Sequence, residues 1–362
     1  MKTYLVLAVM ASLMLIIVGP ASSQGIQNVE LHGYMLNRLY ANPDANARFV
    51  MERLSLSAVG QLGKDGTAYA EVYWHPWLTD ATSLTEQYRV YVESAYVDLP
   101  LGPGRIRFGK GRQLNFGLTP TYPNRKTSQY GILAETFTQD RITGAQYNYK
   151  KGALDFGASV FTDQRIDKRS IGDFAGAPTA QVVPHFVDKD VPGEITGELA
   201  YCAKLGVATP CFQGHISGAV GKLTPDEVAW MISKSGLALG TETDHNKYGV
   251  DATWTQGPFV LQGEWYQGNF SSLKITGYQV VAGYQPAGKA RFYAKYAALN
   301  NNKTPTSLPY SWDTQQLTIG IIQPLRKGVW MEFEYEKNWE SPGGGASDVD
   351  NDLLFLEFFT GF

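Results

Sequence analysis

From Gln27 to the last residue, the chain is written in short runs in which apolar and polar positions alternate with a period of two. Successive side chains of a β-strand point to opposite faces, so each run predicts a strand with one apolar and one polar side. Five runs come first: Asn28 to Tyr40, Phe49 to Gly60, Gly66 to Trp74, Tyr88 to Leu99 and Gly104 to Arg112. Four occupy the middle: Arg141 to Tyr149, Ala153 to Thr162, Gly197 to Val207 and Gln213 to Leu223. Seven close the chain: Lys247 to Thr255, Phe259 to Gln267, Lys274 to Tyr284, Lys289 to Leu299, Thr314 to Ile322, Val329 to Trp339 and Asp352 to Phe362. Tight turns such as Lys64-Asp65-Gly66, Lys150-Lys151-Gly152 and Gln256-Gly257-Pro258 alternate with longer polar loops. If all tight turns fall on one side, Gly197 to Val207 must be a strand. The count is then even, about sixteen, as a closed antiparallel barrel around a water-filled channel requires.

Where the pattern is clean it assigns faces. In the Val329 run, Val329, Met331, Phe333 and Tyr335 share the outer face, and Glu332, Glu334 and Glu336 share the lumenal one. In the Lys289 run, Ala290, Phe292, Ala294 and Tyr296 point outward, and Arg291 and Lys295 inward. The reverse choice would put three carboxylates in hydrocarbon, at a cost of several kcal/mol. Trp74, Trp254, Trp265, Tyr284 and Tyr335 lie near run ends and suit interfacial aromatic girdles. Asp163 to Thr196, polar and with several prolines, reads as an external loop. Thr224-Pro225-Asp226-Glu227 combines an N-cap, a proline at the first helical position and a reciprocal acidic cap, which predicts a short helix over about Pro225 to Lys234 on another loop.

The two ends of the chain fit a membrane destination. Lys2 precedes an apolar run from Leu5 to Val18 and the small residues Ala21, Ser22 and Ser23, the pattern of a secretory signal peptide over residues 1–23, too short for a spanning helix. Residues 24–362 are then one exported barrel domain, with no second apolar run long enough to cross as a helix. The final strand, Asp352 to Phe362, is apolar and ends on phenylalanine, which resembles the closing strand of bacterial outer-membrane barrels and implies recognition by the barrel-assembly machinery. Abundant tyrosine (21) and glycine (38) in a chain that is polar on average suit a wall between lipid and water. Only Cys202 and Cys211 are present, a pair that an oxidising compartment could join as a local disulfide but that lacks the histidines of a metal site.

The net charge of −3 is too small to point to nucleic acid, but its distribution is uneven. Between Asp98 and Glu135 stand Arg105, Arg107, Lys110, Arg112, Arg125 and Lys126 with no acid among them, so the rest of the chain carries −9. Arg105 and Arg107 lie opposite Ile106 and Phe108 and therefore face the lumen. Gly109 and Gly111 offer a place for a bulge that would turn Lys110 and Arg112 inward as well. With Arg141, Arg291 and Lys295 these cations predict a positive potential that concentrates anions in a narrow channel, with Glu332, Glu334 and Glu336 as the opposing acidic row. In sixteen-stranded porins the loop after the fifth strand folds inside as a constriction. By strand order that loop is Gln113 to Gln139.

Arg107-Phe108-Gly109-Lys110, Asn115-Phe116-Gly117-Leu118 and Asp140 to Gln146 resemble the strand, constriction segment and return strand of the phosphate-selective porin O and P family. Gly277 to Tyr284 and Leu317-Thr318-Ile319-Gly320, with Trp330, Glu332, Glu334 and Tyr335, are similar to its later strands. The resemblance implies a sixteen-stranded, trimeric outer-membrane porin for anions or small hydrophilic solutes, in contact with outer-membrane lipid and without a cofactor. The acidic row departs from the family pattern and leaves phosphate itself open. Two other classes stand beside it. A sugar-specific channel would use lumenal aromatics such as Tyr69, Tyr73, Tyr266 and Tyr293, and a soluble carbohydrate-binding β-protein would bury the final strand in a sandwich. The five histidines are scattered outside any catalytic motif, so an enzyme is not expected.

Overall fold

The computed structural model describes residues 26–362 apart from 43–44, 76–88, 119–126, 128–129, 139–140, 163–164, 171–181, 188–198, 236–237, 308–310 and 349–350. The expected signal segment, and Arg125 and Lys126, lie outside the described residues. Among them the strands are β1 (Gln27–Asn42), β2 (Ala45–Leu62), β3 (Gly66–His75), β4 (Arg89–Leu101), β5 (Gly104–Arg112) and β6 (Arg141–Lys151). Next come β7 (Leu154–Thr162), β8 (Arg165–Ser170), β9 (Val182–Val187), β10 (Leu199–Ala208), β11 (Phe212–Lys222) and β12 (Asp244–Gln256). The last six are β13 (Phe259–Phe270), β14 (Leu273–Tyr284), β15 (Arg291–Asn301), β16 (Asp313–Arg326), β17 (Val329–Ser341) and β18 (Leu353–Gly361).

Sixteen of these strands close into one antiparallel barrel in which β18 pairs with β1. The seam is sealed by a reciprocal pair of hydrogen bonds, Gly33 N to Phe362 O and Phe362 N to Gly33 O, each 2.9 Å. Gly33 is needed there, because a Cβ would stand 2.5 Å from the Phe362 ring. Closure removes the unpaired edges that an open sheet would present. The run on which the even count depended supplies β10, described from Leu199 to Ala208 and paired with β7 and β11.

Alternation places a greasy face outside. Tyr278 and Val280 of β14 are exposed on the outer surface, while Ile275, Gln279 and Val281 are buried inside. Leu205, Val207, Ile216, Val220, Val250, Leu261 and Ile319 continue this exposed apolar belt, far more than a water-soluble surface carries. Glu332, Glu334 and Glu336 are buried within the barrel, and Phe333 between them is exposed outside.

Two elements refine the sequence reading. The segment read as an irregular external loop contains a hairpin, β8 paired with β9, in the connection between β7 and β10. The run Arg165 to Ser170 is too charged to show an apolar face, and Pro184 stands within β9, which a two-stranded sheet tolerates because both strands are edges. The lumen is also less uniformly wet than alternation implies. Helix α1 (Ile132–Phe137) and helix α2 (Pro225–Ser235) bring Leu133, Phe137, Val228 and Met231 into one apolar cluster with inward residues of the wall such as Phe161, Phe270 and Leu299. One side of the barrel is thereby filled.

The start of α2 follows the predicted cap. Glu227 N donates to Thr224 Oγ1 at 3.2 Å, and Thr224 N donates to Glu227 Oε2 at 2.6 Å. Thr224→Ala is expected to weaken the helix locally by about 1 kcal/mol. Hydrogen exchange of the first-turn amides should speed up while the unfolding midpoint of the barrel holds.

Candidate functional site

The described parts of the connection after β5, residues 113–118 and 130–138, pack against the inner face of the barrel. Gln146 of β6 anchors its root, donating to Arg112 O at 2.8 Å and accepting from Leu114 N at 2.9 Å. Asn115 Nδ2 then donates to Ala158 O and Ser159 Oγ of β7, at 3.0 and 2.8 Å. Lys204 Nζ and Cys202 Sγ of β10 donate to Leu114 O and Asn115 O, at 2.7 and 2.9 Å. Gly117 N reaches Ser217 Oγ of β11 and Leu118 N reaches the Tyr266 hydroxyl of β13, each at 3.1 Å. Gly117 has φ +57°, and a Cβ would lie 2.5 Å from that hydroxyl, so only glycine fits. Further on, Lys247 Nζ donates to Phe137 O at 2.8 Å, a cation at the C-terminal end of α1. The inner wall is thus built to hold this loop. Asn115→Leu removes its three side-chain bonds to the wall, to Tyr147 O, Ala158 O and Ser159 Oγ, and is expected to raise single-channel conductance and its fluctuation, measured in planar bilayers against the native protein.

This geometry rules out the suggested disulfide. Cys202 is buried on β10 beneath the loop, and Cys211 is exposed in the turn beyond that strand; both are free. Along a strand at ~3.3 Å per residue they stand roughly 20 Å apart, far beyond the ~7 Å limit between bridged Cα atoms.

The expected basic cluster proves to be two trios. Near the β4–β5 turn, Arg105 Nε bonds Asp98 Oδ1, and Arg107 Nη2 lies 3.3 Å from Asp98 Oδ2. Arg112 Nη2 lies 3.1 Å from Glu93 Oε1, and Arg141 bonds Glu93 Oε2. Two guanidiniums on one carboxylate leave each trio at +1. Glu93 reaches the lumen through a bulge on β4, where the register with β3 passes from Glu71↔Ser94 to Val72↔Val92 and leaves Glu93 unmatched. The bulge is therefore one strand earlier than Gly109 and Gly111 suggest, and β5 pairs with β4 and β6 without a slip. Lys110 pairs with Ala95 and with Thr143 in the register of Ile106 and Phe108, while Arg112 at the end of β5 lines the lumenal cavity.

The other expected lumenal charges are tied into the wall. Arg291 donates to Gln285 Oε1 at 2.8 Å beside a short turn, and Lys295 Nζ stands 4.0 Å from Glu336. Glu332 accepts from Trp330 Nε1 and Glu334 from the Tyr293 hydroxyl. Sequence reasoning missed Arg38 of β1, wholly buried, whose Nε contacts Glu52 Oε2 at 2.6 Å and Glu357 Oε2, with the guanidinium 4.5 Å from the Phe355 ring centroid. The signal was present: Glu357 is the one carboxylate in an otherwise apolar run and needs a cation next to it.

The inner surface of β1 to β5, with the adjoining ends of β17 and β18, surrounds a cavity of about 550 Å³. Tyr69, Tyr73, Tyr96 and Trp330 line it together with Arg107 and Arg112. Of the four tyrosines weighed as lumenal aromatics, Tyr69 and Tyr73 reach this space, whereas Tyr266 is taken up by the loop.

Comparison with known proteins agrees with this architecture. The family model "Phosphate-selective porin O and P" matches residues 229–310, from α2 to the approach to β16. No curated protein matches the chain. Among solved structures, OmpF of Salmonella typhi in complex with daunomycin aligns with a TM-score of 0.62 at 14% identity, over 93% of this chain and 98% of that one. The trimer form of OmpT, an outer membrane protein of Vibrio cholerae, aligns at 0.58 and 13%, over 92% and 99%. An anion-selective porin from Comamonas acidovorans aligns at 0.56 and 15%, over 92% and 99%. At these identities the likeness establishes the fold: a sixteen-stranded barrel of the outer-membrane porin type, similar over residues 229–310 to the phosphate-selective porin O and P family.

Proposed function

We propose that the chain forms a passive, water-filled channel in the outer membrane for small hydrophilic solutes, with a modest preference for anions. The observation that carries this reading is the pairing of an apolar outer belt with a lumenal wall that sets two guanidiniums on each of two carboxylates, Arg105 and Arg107 on Asp98 and Arg112 and Arg141 on Glu93. Among the other lumenal charges named here, the glutamates of β17 are hydrogen-bonded or ion-paired within the wall, which limits their field in the pathway. A basic surface in a confined aqueous path raises the local concentration of anions, and conduction needs only weak, successive contacts. Arg105, Arg107, Arg112 and Arg141 are assigned the anion-attracting role. Arg291, Lys295, Glu332, Glu334 and Glu336 belong to the wall.

A homotrimer is the assembly this reading adopts, supported by the likeness to the trimer form of the Vibrio cholerae protein. The reading involves no turnover and no cofactor. Its test is reconstitution of purified protein into planar bilayers. Discrete, ohmic current steps that scale with salt concentration are expected. Silent bilayers containing correctly folded protein would exclude a channel.

A further inference from the structure

The interior of a conducting barrel is ordinarily polar, and the recess beside Arg107 departs from that rule. Trp330 and Phe359 stack with ring centroids 3.5 Å apart, and Tyr34 continues the stack at 5.4 Å from Phe359. A second stack on β3 and β4 pairs Tyr69 with Tyr96 at 5.1 Å and 24° between planes, and the Arg107 guanidinium covers Tyr96 at 3.8 Å from its centroid. Both stacks line the same cavity of about 550 Å³. The strand running between them, β2, sets only small hydroxyls, Ser55 and Ser57, opposite Tyr34 and Tyr73 and beside Glu71, and this leaves the recess open. Arg107 and Arg112 line it together with Glu71 and Glu93, and Arg105 and Arg141 stand behind as the second cations on Asp98 and Glu93, so flat apolar walls meet a lining of two guanidiniums and two carboxylates.

Three classes of solute can be weighed against this lining. Inorganic phosphate would engage the guanidiniums but gain nothing from the rings. A neutral sugar would use the rings and could hydrogen-bond the charged side chains through its hydroxyls, but it brings no charge of its own to meet the guanidiniums. A flat ring carrying a carboxylate uses both, by offset stacking on the aromatic walls and by charge-assisted, forked hydrogen bonds to arginine. The volume is that of an ordinary small-molecule site, mostly apolar with a few fixed polar groups.

We infer that this recess is a transit site for planar aromatic carboxylates. The inference rests on the channel reading and names the substrate class for it. The test uses the full chain in planar bilayers under potassium chloride, with benzoate, acetate and glucose titrated in turn. Benzoate should reduce the chloride current with a half-blocking concentration at least about tenfold below that of acetate, as one to two ring contacts imply, and glucose should have little effect. Tyr69→Leu should shrink the benzoate-to-acetate ratio about threefold or more. Trp330→Leu is the second variant should the first fail to fold. Equal block by benzoate and acetate, block by glucose alone, or a ratio unchanged in a folded variant would overturn the inference while leaving a conducting channel. Absence of any chloride current would instead remove the channel reading and this inference with it.

Discussion

Replacing Arg38 by methionine is expected to cost the barrel about 3–5 kcal/mol, the penalty for stripping the partner from buried charges. The side chain is fully buried, and its Nε serves both Glu52, at 2.6 Å, and Glu357. Its Nη1 donates to the Tyr40 hydroxyl at 2.9 Å, and that hydroxyl donates to Glu52 Oε2 at 2.6 Å. The network joins β1, β2 and β18, and so lies at the seam where the first and last strands close the cylinder. Without the cation, two carboxylates remain near each other in a dry environment at the point where closure depends on them. Urea unfolding in detergent micelles should show the loss as a lower midpoint. Arg38→Lys, which keeps the charge but not the planar fork, should lose less. A methionine variant as stable as the native protein would show that water reaches the cluster.

The second large effect is on selectivity. Arg105→Gln together with Arg107→Gln leaves Asp98 alone, so a trio that carries +1 becomes −1. Arg107 is largely covered, with 17% of its side chain exposed, whereas Arg105 is 44% exposed at the mouth. The change is thus felt both at entry and inside. The preference for chloride over potassium should fall several-fold in the double variant at about 0.1 M salt, where charges act over roughly 10 Å, and the difference should fade near 1 M, where that distance is about 3 Å. Zero-current potentials at the two salt levels make the comparison. A double variant indistinguishable from the native protein at low salt would place these arginines outside the ion path.

The barrel was legible because its signal is local. Period-two alternation marked Gly104 to Arg112 to the residue, and the capping box marked α2 within one residue. Strand ends were less visible. The Phe259 run continues to Phe270 and meets β14 through a two-residue turn at Ser271 and Ser272, because polar residues at the rim of a barrel no longer alternate. The alternation of the Thr314 run stops at Ile322, yet β16 runs to Arg326 with a register slip beside Pro324.

The candidate site was only half legible. Which cations face inward can be counted along a strand, but which acid neutralises them depends on partners across strands. Asp98 bounded the basic window and in the fold sits among its arginines. Glu93 reaches Arg112 and Arg141 only through a bulge that no residue type announces. The apolar filling beneath the inner loop was hidden too. Phe161, Phe270 and Leu299 sit on faces that alternation assigns to water, and residues of α1, α2 and the inner loop cluster with them.

The most direct test is the zero-current potential of the native protein in a planar bilayer separating two potassium chloride concentrations. An open aqueous conductance whose potential has the sign set by chloride is the result expected from two guanidiniums on each of Asp98 and Glu93 along the lumen. A potential of the potassium sign would contradict it.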